Sequence, residues 1–205
     1  MRLLVAPDRY NKNYDTKARF GSYWHQIDEI VSHRPTRILE IGIGNGFVSS
    51  YLLKRGFNVL TLDIDKKLDP IVASSVLNIP FFDETFDVVA CYEVLEHLPY
   101  IYFKKALVEI FRVSNSLVLL SLPDANKFYR IYAQIPKRGL FTKIIQFPRL
   151  RKIPNDFDGG HYWEIGRANC KLKTVIDAIN KAGFEIERTY RAFEMPYHRF
   201  FILKK

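Results

Sequence analysis

The chain has 205 residues, 48% of them hydrophobic and 26% charged, a composition that suits one folded domain with room for a full α/β core. No apolar run approaches a membrane span, Leu117 to Leu122 being typical of the longest, and Leu3 to Ala6 before Pro7 is too short for a secretory core. The formal charge is +9, and the only cysteines, Cys91 and Cys170, have no metal-like spacing, so reduced thiols in a cytoplasmic setting are expected.

Trp24, Ile27, Ile30 and Val31 recur at helical spacing before Pro35 forbids continuation, so residues 1–35 read as an N-terminal helical segment. Ile38, Leu39 and Ile41 predict a short strand, Gly42, Gly44 and Gly46 a turn, and Val48 onward a helix to Arg55. Phe57 to Leu62 is a second strand, closed by Asp63, and Val72 to Leu77 reads as a third. Phe86 to Cys91 is too apolar to be half exposed and belongs in the middle of a sheet. Phe103, Leu107, Ile110 and Phe111 mark one face of a helix over Tyr100 to Val113, and Leu117 to Leu122 follows as a fifth strand.

Between Asp124 and Asp156 there is no acidic residue, while Lys127, Arg130, Lys137, Arg138, Lys143, Arg149, Arg151 and Lys152 all fall there. Phe128, Ile131, Tyr132 and Ile135, then Phe141, Ile144 and Ile145, predict two short amphipathic helices. With the aromatic loop through His161, Tyr162 and Trp163, residues 124–165 read as an inserted lid, because the stretch exceeds an ordinary strand-to-helix connection. Its bases suit a solvated face, an anionic membrane surface in peripheral contact, or a phosphate-bearing substrate or nucleic acid. The sequence does not separate the last two.

Lys171 to Ala182 is a further helix, and Phe184 to Phe193 and Tyr197 to Leu203 are final strands, antiparallel because their connection is short. Strands alternating with helices predict one α/β domain over residues 1–205: doubly wound, mostly parallel, with an antiparallel last strand and helices on both faces.

The glycine spacing narrows the ligand. A dinucleotide fingerprint is G-x-G-x-x-G, whereas Gly42, Gly44 and Gly46 give G-x-G-x-G with Phe47 where the last glycine would fall. Glu40 before the turn would repel a pyrophosphate and attract an ammonium. Asp63 suits ribose hydroxyls, so a nucleoside-containing ligand is expected.

Three stretches in order carry a family resemblance: Glu40-Ile-Gly-x-Gly-x-Gly46, Ser75 to Val89 with Leu-Asn-Ile-Pro-Phe-Phe-Asp at its centre, and Tyr92-Glu-Val-Leu-Glu-His-Leu98. Together they resemble the class I (Rossmann-like) S-adenosylmethionine-dependent methyltransferases, nearest the ubiquinone/type 11 group. The resemblance implies a seven-stranded sheet, S-adenosylmethionine as cofactor, and methyl transfer to oxygen or carbon of a small-molecule or lipid-linked acceptor; the lid's bases suit an anionic part of that acceptor. Nucleic acid ranks below these as a partner, and the oligomeric state is unspecified.

Position by position, the resemblance assigns Glu40, Gly42, Gly44, Asn45 and Gly46 to the methionine end of the cofactor, Asp63 to the ribose and Ile64 to the adenine. Ser75 stands where the family usually places an adenine-reading acid, beside the backbone of Val76 and Leu77. Cys91 and Tyr92 are expected to border the sulfonium. His97 and His161 are the candidate general bases, each weighed against a role in bracing its loop. Tyr162, Trp163, Arg149 and Arg151 are the expected substrate contacts, and no metal constellation is visible. The competing reading is a non-catalytic protein that keeps the fold and uses its basic segment to bind RNA or a protein partner.

Overall fold

The computed structural model describes residues 10–147, 154, 160–168 and 170–205. Helix α1 (Lys17–Ser32) leads into β1 (Ile38–Ile41), α2 (Phe47–Lys54), β2 (Val59–Asp63), β3 (Val72–Ala73) and β4 (Phe86–Tyr92). There follow α3 (Phe103–Val113), β5 (Ser114–Pro123), β6 (Lys127–Ile135), β7 (Gly139–Phe147), α4 (Leu172–Lys181), β8 (Glu185–Arg191) and β9 (His198–Lys204).

Seven strands form one sheet in the order β3-β2-β1-β4-β5-β9-β8. Pairing is parallel from β3 through β5 and antiparallel where β9 inserts between β5 and β8. This is the expected doubly wound sheet. Side chains alternate between its faces, which makes two cores. Leu39, Ile41, Val89, Cys91, Val118 and Leu120 pack against α3 and α4 on one face. Ile38, Val88, Ala90, Tyr92, Leu117 and Leu119 pack against α1 and α2 on the other.

Two expectations are corrected. The third strand ends at Ala73 instead of Leu77. Beyond it the Ser75 hydroxyl accepts from Leu77 N–H at 3.2 Å and Asn78 N–H donates to Ser75 O at 2.9 Å. That local turn takes the backbone away from the strand ladder.

The basic segment is a β-hairpin of β6 and β7, not two helices. Its apolar residues satisfy both periods, since Tyr129, Ile131, Ala133 and Ile135 also alternate. Aromatic and β-branched residues favour the extended form. Pro136 blocks a helix, and Lys137 (φ 63°) with Gly139 (φ 84°) supplies the left-handed backbone that reverses the chain.

The strand order reverses between β1 and β4, since β1 lies next to both β2 and β4. In an open parallel sheet, the crevice beyond the carboxyl ends at such a point is where ligands bind.

Candidate active site

A cavity of about 200 Å³ opens at that point, bordered by the turns after β1, β2 and β4. The turn after β1 is made by Gly42, Gly44 and Gly46, all with positive φ. Gly42 is the position that tolerates least: a Cβ there would collide with the Val94 side chain. The bare backbone therefore approaches the cavity as closely as the loop after β4 allows.

Glu40 points to the α1/α2 side of β1, between core residues Leu39 and Ile41 that point the other way. Its carboxylate borders the cavity, and Oε2 has no hydrogen-bond partner among the described residues. Burial pushes its carboxyl up to about 8, and hydrogen bonding from Ser49 offsets this only in part. A buried acid of this kind is costly by itself and is relieved by a cationic ligand group.

Asp63 ends β2 on the adjacent wall. Ile43 N–H donates to its Oδ2 at 3.0 Å and Asp65 N–H to its Oδ1 at 2.8 Å. Burial raises its pKa, and those backbone hydrogen bonds oppose the rise. The carboxylate is thereby fixed across the glycine turn, facing the cavity with Ile64 and Ser75.

Of the expected cofactor contacts, Glu40, Gly42, Gly44, Asn45, Asp63, Ile64, Ser75, Val76 and Tyr92 border the cavity together. Gly46, Leu77 and Cys91 do not. Gly46 caps α2, and the Leu77 N–H is taken by Ser75. Cys91 is fully buried on the α3/α4 side because it alternates with Tyr92, and burial holds its thiol well above the usual range.

The opposite end of the cavity is polar. His97 Nδ1 donates to Gly160 O at 2.7 Å, and the His97 and His161 rings lie 5.0 Å apart. His161 Nδ1 is 3.2 Å from Glu164 Oε1 and 3.2 Å from the Tyr197 hydroxyl. Glu93 stands beside them in left-handed backbone (φ 53°), a conformation unfavourable for a residue with a Cβ. Its Oε1 accepts from Ser121 Oγ at 2.9 Å, and its Oε2 is 3.6 Å from His198 Nε2. Burial pushes the Glu93 carboxyl up to about 8 and the His198 imidazole down to about 3.

The expected lid contacts fall elsewhere. Trp163 is 2% exposed and wedged against Tyr100 and Phe103, with Nε1–H donating to Leu98 O at 3.0 Å, so it is a core residue. Tyr162 donates its N–H to Glu96 O at 2.8 Å and packs on the same core. Among the described residues, none of the β6–β7 hairpin borders the cavity. The hairpin is tied at its base, where Arg130 donates to Phe193 O and Glu194 O and Arg199 to Gln146 Oε1. Arg149 and Arg151 lie outside the described residues.

Sequence reading missed the N-terminal wall. Tyr10 packs against Gly44, and Arg19 lies over the Tyr14 ring at 4.0 Å. Asp15 accepts from Tyr23 Oη at 2.8 Å and Asn45 Nδ2 at 3.0 Å. Tyr10 and Tyr14 precede any periodic segment, so only their aromatic type hinted at a wall. Glu93, Tyr197 and His198 were likewise given no role.

A glycine turn at the switch point, with a carboxylate on either side, defines a Rossmann-like α/β protein with a nucleoside-type site. Residues 39–117 match the model of a methyltransferase domain, and the whole chain has the Rossmann-like fold of the solved methyltransferases it resembles. The matched segment contains β1 from Leu39 onward, the glycine turn, Asp63 and the Glu93–His97 turn. An uncharacterized protein of Methanocaldococcus jannaschii is 36% identical over 96 residues, which is 43% of this chain and 41% of the relative. Ubiquinone biosynthesis O-methyltransferase of Hahella chejuensis is 26% identical over 153 residues, 67% of this chain and 59% of the enzyme. The chain thus spans about half the length of these relatives. The 1,6-didemethyltoxoflavin-N1-methyltransferase of Burkholderia thailandensis, solved with bound 1,6-didemethyltoxoflavin and S-adenosylhomocysteine, shares the fold at TM-score 0.61 and 14% identity, the match covering 98% of this chain and 91% of that one.

Proposed function

We propose that this protein is an S-adenosylmethionine-dependent methyltransferase whose acceptor is a small molecule or a lipid-linked molecule methylated at oxygen or carbon. The observation that carries the reading is the pair of carboxylates on one cavity. Glu40 has a buried oxygen with no partner among the described residues, and Asp63 is fixed by two backbone N–H groups across the glycine turn. The donor set fits the cofactor: Glu40 for its ammonium, Asp63 for its ribose hydroxyls, Ile64 and Val76 beside its adenine. The Ser75 hydroxyl already accepts from Leu77, so adenine selection falls mainly to shape and backbone. Bound S-adenosylmethionine would supply a methyl group made electrophilic by its sulfonium.

This chain's own residues would then align an acceptor and exclude water. Tyr10, Tyr14 and Tyr23 wall the cofactor end, and Glu93, His97 and His161 line the acceptor end. His97 is held as the Nδ1–H tautomer by Gly160 O, which makes Nε2 its basic nitrogen. Burial places the Glu93 carboxyl near neutrality, where it can take a proton from a hydroxyl acceptor.

The hairpin supports a lipid-linked acceptor. Tyr129, Tyr132, Leu140 and Phe141 are exposed on it, and Lys137 and Arg138 stand at its tip. Aromatic side chains among bases, in a segment whose sequence has no acid between Asp124 and Asp156, suit an anionic lipid surface. No helix among the described residues is long and apolar enough to cross a membrane, so the proposed contact is peripheral. Arg149 and Arg151 are proposed to hold an anionic part of the acceptor; reversing their charge should raise the acceptor KM and leave cofactor affinity unchanged.

Calorimetry with S-adenosylhomocysteine and, separately, NAD tests the reading. Binding of S-adenosylhomocysteine alone is expected. NAD binding without S-adenosylhomocysteine binding would overturn it.

A further inference from the structure

The acceptor end of the cavity gathers two imidazoles and a carboxylate from separate parts of the chain. Glu96 and His97 sit in the turn after β4, and His161 arrives on the loop that precedes α4, more than sixty positions later. One ligand atom from each of the three lies within 4.8 Å of the others. Glu96 is completely buried, and both histidines are partly so.

The orientation of the rings is specific. His97 Nδ1 is engaged by Gly160 O at 2.7 Å, and His161 Nδ1 by the Glu164 carboxylate at 3.2 Å. Glu164 is itself held by Arg167, whose Nε donates at 2.8 Å. Each ring is therefore anchored through Nδ1 by a carbonyl or a carboxylate, which sets the tautomer and puts the lone pair on Nε2. This is how metal-binding histidines are commonly oriented. His161 Nε2 lies 3.9 Å from Glu96 Oε1, too far for a hydrogen bond. A cation with bonds of about 2.1 Å would draw the two together slightly to bind both.

We infer that Glu96, His97 and His161 bind a divalent cation of the first transition row at the acceptor end of the cavity, where it holds an oxygen of the acceptor. The role assigned to that oxygen rests on the methyltransferase reading above. Two imidazoles with one carboxylate suit manganese, iron, cobalt or zinc over magnesium or calcium, which prefer all-oxygen surroundings. Three protein ligands leave coordination positions for a ligand in the cavity. A hydroxyl bound there ionises at lower pH, its proton leaving to solvent, so the site favours an oxygen acceptor over a carbon one.

The test uses the full chain stripped with a chelator and titrated with Co²⁺, followed by visible d–d absorption and by calorimetry, with S-adenosylhomocysteine binding measured in parallel. Saturable binding of one Co²⁺ per chain is expected. His161→Ala and the isosteric Glu96→Gln should each weaken it by at least about tenfold while S-adenosylhomocysteine affinity stays within about twofold of wild type. If Glu96→Gln fails to fold, His97→Ala takes its place. Absence of Co²⁺ binding in a protein that binds S-adenosylhomocysteine would overturn the metal site and leave the methyltransferase reading standing, as would Co²⁺ binding that these substitutions leave unchanged. Co²⁺ binding that needs these residues, in a protein that ignores S-adenosylhomocysteine, would support the metal site and overturn the methyltransferase reading.

Discussion

Replacing Glu40 by Gln tests the cofactor end through its pH dependence. Burial moves this carboxyl from the ordinary 4.5 to about 8. That corresponds to about 5 kcal/mol, to order of magnitude, against ionising Glu40 without a partner. The folded pKa is raised, so between about pH 4.5 and 8 the native state holds more protons than the unfolded chain, and ligand-free stability falls as pH rises through that window. A bound ammonium reverses the preference by pairing with the ionised form. S-adenosylhomocysteine binding should therefore release a proton below about pH 8, and its affinity should rise from about pH 6 to 8 by up to about tenfold per unit. Glu40→Gln keeps the shape and loses the charge. A charge-assisted hydrogen bond contributes about 1.5–3 kcal/mol, so the variant should bind roughly 10- to 100-fold more weakly at about pH 8, with the gap closing toward about pH 6. Its ligand-free stability should also lose the decline with pH. Calorimetry in two buffers of different ionisation heat counts the released proton. Wild-type binding without proton release, or a Gln variant whose affinity runs parallel to wild type across pH, would refute the reasoning.

Asp63→Ala should weaken S-adenosylhomocysteine binding by on the order of 1–3 kcal/mol, measured by the same calorimetry, through loss of charge-assisted hydrogen bonds. Gly42→Ala should abolish that binding and lower the melting temperature, because the added Cβ meets Val94 at a backbone with φ 81°. Adding Val94→Ala should recover only part of the stability, since it relieves the contact and not the backbone. Trp163→Ala should cost about 3–5 kcal/mol in chemical denaturation, the penalty of an emptied core site; a cost under about 1 kcal/mol would return Trp163 to the surface. Charge reversal at Lys137 and Arg138 should remove sedimentation with anionic vesicles and leave S-adenosylhomocysteine binding intact; retention on the vesicles would detach the hairpin from any lipid surface.

The parts of this fold that could be read from the sequence are those in which one signal dominates. β4 and β5 are near-continuous apolar runs because both faces of the sheet are covered; β4 differs from the reading by one residue, while β5 begins three residues earlier, at the polar Ser114-Asn115-Ser116. That Glu40, Gly42 and Asp63 border one cavity was legible because an acid, a glycine turn and a second acid stand at the ends of consecutive strands. Where two signals compete, the sequence was ambiguous. Residues 128–135 fit helical and strand periods alike, and Pro136 with the left-handed Lys137 decided between them. Cys91 and Tyr92 were assigned together to the sulfonium, yet strand alternation sends them to opposite faces. Trp163 looked like a lid aromatic from its glycine-rich neighbours, but its indole N–H reaches Leu98 O from inside the core. The convergence of His161 on Glu96 and His97 is a tertiary fact. Spacing along the chain could not reveal it, because a loop and a strand end bring the three together.

The most direct test of the account is a crystal structure with S-adenosylhomocysteine bound. The ribose hydroxyls are expected on the Asp63 carboxylate, the ammonium within hydrogen-bonding distance of Glu40 Oε2, and the sulfur directed toward the end of the cavity that holds Glu93, His97 and His161. A nucleoside bound away from Asp63, or an ammonium that leaves Glu40 Oε2 without a partner, would contradict the account.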